Sequence, residues 1–79
     1  MTDEQQQIIE SIAEILTLPA TDLDMESGLQ DDLGLNAVEK ADLLEGLVSK
    51  FGIVFEPGET SQLQTIGDLV RIIEDKMLE

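Results

Sequence analysis

Apolar residues recur at helical spacing in three separate stretches of this chain, and that pattern makes packed amphipathic helices its natural fold. The first stretch carries Ile8, Ile9, Ile12, Ile15 and Leu16. Thr2 followed by Gln5 fits a capping box, and Asp3 and Glu4 suit the positive end of a helix dipole. Pro19 disfavours helix in the residue before it, so the spacing predicts a helix over 2–16. The second stretch opens at Asn36, a strong N-cap, with Glu39 placed to reach back to it. Val38, Ala41, Leu44, Leu47, Val48 and Phe51 form its apolar face, Leu43 widens that face, and Gly52 supplies a C-terminal cap. The third stretch begins at Thr65, with Asp68 as its capping partner, Ile66, Leu69, Val70, Ile73 and Met77 on its apolar face, and Lys76 near its end.

Between these stretches, residues 17–36 form a long connection with apolar anchors at Leu18, Leu23, Met25, Leu29 and Leu33. Connections of that length inside a compact domain are uncommon and often functional. Residues 53–55 read as an apolar linker, because a lone strand there would have nothing to pair with. Pro57-Gly58 is turn chemistry, and residues 59–63 have room for about one helical turn. The expected architecture is all-α: one domain over 1–79, three main helices plus one short helix, with no internal repeat.

A chain of 79 residues buries a modest core, and 42% hydrophobic residues suffice to fill it. There is no cysteine and no histidine, which removes disulfides, thiolate metal sites and the commonest general base. The N-terminus MTDEQQQ lacks a signal-peptide pattern, and there is no apolar run for a membrane span. The expected location is therefore cytoplasmic and the expected state monomeric. Eighteen acids against four bases give a net charge of −14, which argues against nucleic acid and anionic membranes and for basic protein surfaces as partners. Asp22, Asp24, Glu26, Asp31 and Asp32 invite comparison with a calcium loop. The EF-hand template fails, because Gly28 falls one position late and the closing glutamate position holds Leu33.

Catalysis has no support, since no serine or threonine stands in a nucleophile motif and the acids follow solvent-facing patterns. The segment Asp31-Asp32-Leu33-Gly34-Leu35-Asn36-Ala37-Val38 is different in kind. An acidic lead-in and a capping residue present the first turn of a helix, where unpaired backbone N–H groups favour a phosphate. Taken locally, a well-capped helix start explains the same residues.

Over essentially its whole length the chain resembles an acyl carrier protein. The resemblance rests on Asp32-Leu33-Gly34-Leu35-Asn36-Ala37-Val38, on the first-helix isoleucines, on Phe51-Gly52-Ile53 and on Thr65-Ile66-Gly67-Asp68-Leu69. It implies a four-helix carrier bundle whose motif serine bears a 4′-phosphopantetheine arm that carries acyl groups as thioesters in fatty-acid or polyketide-type synthesis. It further implies docking to basic surfaces of a holo-synthase, an acyltransferase or a ketosynthase, and an acyl chain that can slip between the helices. Leu44, Leu47, Phe55, Leu63, Ile66 and Leu69 are candidates to line such a chain, although ordinary core packing accounts for them equally well.

The departures fall on the motif itself. The attachment position is Ala37, flanked by Asn36 and Val38, so no phosphodiester can form on this chain as written. Asn36 stands where the family carries aspartate. Within the second helix, three acids (Glu39, Asp42, Glu45) less two lysines (Lys40, Lys50) leave a net charge of −1. Partner contacts are therefore expected from Glu39, Asp42 and Glu45 together with Asp31 and Asp32 in the preceding loop. Two readings of Ala37 stand open: a carrier held in its apo form by replacement of its serine, or an arm-less module that binds a protein partner.

Overall fold

The computed structural model describes residues 3–77. Within them the order is α1 (Asp3–Leu16), a 3₁₀ turn (Ala20–Asp22), α2 (Ala37–Phe51), α3 (Pro57–Thr60) and α4 (Ile66–Met77). The Thr2 capping role lies outside the described residues. α1 packs against both α2 and α4. Its isoleucines at 8, 9 and 12 are buried, while Ile15 and Leu16 lie at the edge of the core. The buried Ser11 hydroxyl donates to the Gln7 carbonyl at 2.9 Å, so no polar group is left unpaired by its burial.

The end of α1 is made by a residue before Pro19. Thr17 adopts a left-handed φ of 60°, and its N–H donates to the Glu14 carbonyl while that of Leu18 donates to Ala13. These two bonds form a Schellman motif in which a β-branched residue occupies the position that usually belongs to glycine. At the end of α2 the usual residue is present: Gly52 has φ 65° and donates to the Val48 carbonyl.

The core is aliphatic and drawn from every main element. Ile8, Ile12, Leu43, Leu47, Ile66, Leu69, Val70 and Ile73 are fully enclosed, and Leu29 joins them from the α1–α2 connection. Each such side chain contributes about 1.5–3 kcal/mol by leaving water. Leu23 is also buried and Met25 and Leu33 are partly buried, but Leu18 is exposed and so is no anchor. Leu35, not expected from the pattern, is buried instead.

The long connection is tied to the start of α4. Leu29 N–H donates to the Gln64 carbonyl at 2.8 Å, Ile66 N–H to Ser27 at 2.9 Å, and Gly67 N–H to Met25 at 2.7 Å. The first amides of α4, which have no partner within the helix, thereby find acceptors in the loop. Thr65 completes the cap: its hydroxyl accepts from Asp68 N–H at 3.1 Å, and the Asp68 carboxylate accepts from Thr65 and Gln64 N–H.

α3 begins earlier than the sequence pattern suggested. Its single turn spans Pro57–Thr60 rather than lying within 59–63, because Pro57 sits at the first helical position and Glu59 accepts the Glu56 N–H at 2.8 Å. Glu59 also pairs with Lys76 at 2.8 Å, and the Lys76 ammonium lies 5.8 Å above the Phe55 ring. These contacts fasten α3 and the linker before it to the last turn of α4. No helix among the described residues is long and apolar enough to cross a membrane.

Candidate functional site

Residue 37 occupies the first position of α2, and both it and its neighbours Asn36 and Val38 are exposed. The geometry beneath it is fixed by a reciprocal pair of bonds. Asn36 Oδ1 accepts from Glu39 N–H at 2.7 Å, and Glu39 Oε1 accepts from Asn36 N–H at 3.1 Å. Gly34, with φ 67°, turns the chain just before the cap, and Leu35 N–H donates to the Leu29 carbonyl. Buried Leu29 and Leu35 therefore pin both sides of the turn that leads into α2.

The exposure of Val38, at 69%, corrects its assignment to the apolar face of α2. It stands four residues before Asp42 and seven before Glu45, so helical geometry places it on the acidic stripe. Ala41 is exposed as well. The buried face consists of Leu43, Leu44 and Leu47.

The five acids expected to meet a partner do not form one array. Glu39, Asp42 and Glu45 follow one another at spacings of three along exposed helix. Glu39 and Asp42 border a groove of about 310 Å³ whose other walls include Ile15, Leu18, Leu33 and Leu35. Asp31 lies instead on a second recess of about 330 Å³, together with Gln30, Lys40, Ser61, Leu63 and Gln64. Asp32 is engaged within the loop, where its carboxylate accepts the Gly28 N–H at 2.6 Å. Among the described residues no three acids come together as a metal ion would require.

Two carboxyls are held below their ordinary range, and neither belongs to these five. At Asp68 partial burial pushes upward, but the N–H groups of Gln64 and Thr65, the Thr65 hydroxyl and Arg71 together outweigh it. At Glu59 the Glu56 N–H and the Lys76 ammonium act in the same direction. Both serve helix ends, a structural duty.

Of the six apolar residues considered for lining an acyl chain, Leu44, Leu47, Ile66 and Leu69 belong to the packed core. Phe55 lies against that core under Lys76. Leu63 is buried and also borders the recess beside Lys40. Lys40, outside the expected site residues, stands three residues after Ala37, which puts the two on one side of the helix.

Residues 6–73 match the family model described as "Phosphopantetheine attachment site". An acyl carrier protein of an Exiguobacterium species is 34% identical over 79 residues, covering 98% of this chain and all of that protein. An acyl carrier protein of Thermotoga maritima is 32% identical over 66 residues, covering 84% of this chain and 82% of its own length. In three dimensions the chain is similar to the apo doublet acyl carrier protein from prodigiosin biosynthesis, with a TM-score of 0.75. That likeness covers 92% of this chain and 35% of the other at 22% identity, so it speaks for the fold alone.

Proposed function

The chain belongs to the acyl carrier protein family, and from that premise we propose that Ala37 stands at the position of the arm-bearing serine in a carrier of fatty-acid or polyketide-type synthesis. Members of the family are carriers rather than catalysts and work with synthase enzymes. The observation that carries the reading is the Asn36–Glu39 capping box, which holds residue 37 exposed on the first turn of α2. A modifying enzyme needs such a target: rigidly presented, free of neighbours, and next to helix amides that favour phosphate.

The residue itself does not fit the arm. A phosphodiester requires a hydroxyl oxygen, and the Ala37 methyl group has none. The chain as written therefore takes the carrier fold and docking surface without the covalent group. Docking falls to the stripe Glu39, Asp42 and Glu45 with Val38 at its head. The adjoining groove, with the exposed Leu18, offers an apolar contact beside the acids. A basic patch flanking one apolar side chain would complement it, with encounter slowed by salt.

The test replaces Ala37 by serine and supplies coenzyme A with a promiscuous phosphopantetheinyl transferase. A mass gain of one phosphopantetheine group is the expected result. A folded A37S protein that gains nothing would instead favour an arm-less module that only binds a protein partner, the reading that Ala37 as it stands keeps open.

A further inference from the structure

The bonds that shape the start of α2 do not use the side chain of residue 37. Asn36 and Glu39 close the capping box between themselves, at 2.7 Å and 3.1 Å. A methyl group in place of a hydroxymethyl group therefore leaves this helix start capped and exposed all the same. What the position lacks is one oxygen.

The acidic face beside it is also free to act. The three ion pairs among the described residues join Lys50 to Glu14, Arg71 to Asp68 and Lys76 to Glu59. Asp42 and Glu45 enter none of them and make no side-chain hydrogen bond among the described residues. Both are exposed, so their carboxylates can meet a cationic surface without first breaking a contact within the chain. Val38 and Ala41 add exposed apolar surface on the same helix.

Among the partners of a carrier, the enzymes that exchange acyl groups act on the arm and its cargo, and a chain without an arm offers them neither. The transferase that adds the arm is the exception, because its protein substrate is arm-free by definition. To that enzyme the Ala37 chain presents a capped first turn and an acidic face, without the reacting hydroxyl. The affinity lost with the hydroxyl is about fivefold, the value of one net hydrogen bond of about 1 kcal/mol. Phosphoryl transfer cannot follow, since the methyl group has no oxygen to bond to phosphorus and no proton to give up. A serine-bearing carrier leaves as product, whereas this chain leaves only by dissociation.

We infer that the chain is a competitor of priming: it occupies the carrier site of a phosphopantetheinyl transferase and slows arm transfer to the serine-bearing carriers that share that enzyme. The inference rests on the carrier reading for the identity of the enzyme. It gives a regulatory activity to a chain that can carry nothing itself. At about ten times its inhibition constant, the chain would slow priming of a dilute carrier about elevenfold by mass action.

The test uses A37S as the substrate, with coenzyme A and a promiscuous phosphopantetheinyl transferase, and adds the Ala37 protein at rising concentration. Initial rates should show a raised KM for A37S and an unaltered kcat, with an inhibition constant within about fivefold of that KM. In the Ala37 chain, Asp42→Lys combined with Glu45→Lys, both on exposed positions, should weaken inhibition about tenfold while helical circular dichroism is retained. Raising sodium chloride to about 0.5 M should weaken inhibition by the parent chain in the same sense. No inhibition at about ten times the KM, a lowered kcat at unaltered KM, or inhibition indifferent to both charge reversal and salt would each overturn the inference. If A37S is not primed, the carrier reading falls and the competitor role falls with it. If A37S is primed and the Ala37 chain does not compete, the competitor role falls alone.

Discussion

Gly67 donates its backbone N–H to the Met25 carbonyl at 2.7 Å, and a Cβ built on Gly67 would lie 2.7 Å from that same oxygen. The contact joins the α1–α2 connection to α4 so closely that no side chain fits between them. Gly67→Ala must therefore push the loop away or give up the bond. We expect a loss of about 1–3 kcal/mol by urea unfolding. Faster hydrogen exchange at Leu29 and Ile66, whose amides bond across the same seam, should accompany it.

Thr17 offers a change in the opposite sense. A β-branched residue held at φ 60° is strained by about 1 kcal/mol or more, and glycine adopts that conformation freely. Thr17→Gly is expected to raise stability by about 0.5–1 kcal/mol, with Asn intermediate. A lower urea midpoint for Thr17→Gly would contradict the Schellman assignment.

The capping box under residue 37 can be tested apart from the arm. Asn36→Ala removes the acceptor for Glu39 N–H and should cost about 1 kcal/mol, with fraying confined to the first turn of α2. Ala37→Ser, on an exposed position, should stay within about 0.5 kcal/mol. Reduced priming of the double variant relative to A37S would show that presentation of residue 37, and not its hydroxyl alone, is what the modifying enzyme reads.

Asp68 supplies a pH dependence. Its folded-state pKa is lowered, so the stabilisation is present above the unfolded value of about 3.9 and is lost as pH falls through the folded value. Asp68→Asn should be less stable than the parent by about 1 kcal/mol at pH 6. The gap should narrow as pH drops below about 4. Urea midpoints from pH 6 to pH 3 check this, and a gap that stays constant would assign the cap to hydrogen bonding without charge.

A net charge of −14 on so small a body works against compactness. Moderate salt shortens the reach of that repulsion to about 10 Å or less. Stability should rise by on the order of 1 kcal/mol, about 4–8 °C in Tm, between low salt and about 0.5 M sodium chloride. Partner binding should weaken over the same range, so the two responses have opposite signs.

How much of this was legible in the residues depended on whether the signal was local. The caps at Asn36–Glu39, Gly52 and Thr65–Asp68 are spelled out within a few positions, and all three form as spelled. The isoleucine stripe of α1 is local as well. Residue type alone misleads at several positions. Val38, Ala41 and Leu18 are apolar yet exposed, because register places Val38 among the acids. Pro57 is turn chemistry by type, yet proline also opens helices. What could not be read was the seam between residues 25–29 and 64–67, since backbone bonds across some forty positions leave no pattern in side-chain chemistry. The recess at Lys40 depends on that seam and was hidden with it.

The seam also sets where the chain can change length. Three bonds fix the spacing of Met25, Ser27 and Leu29 against residues 64–67, so one residue added or removed within 25–29 would put donors and acceptors out of step. Insertions would be better borne around the exposed Thr21 and Asp22, ahead of the first tie. Variation in loop length among chains of this kind should then collect before Leu23, leaving the distance from Met25 to Asn36 unaltered.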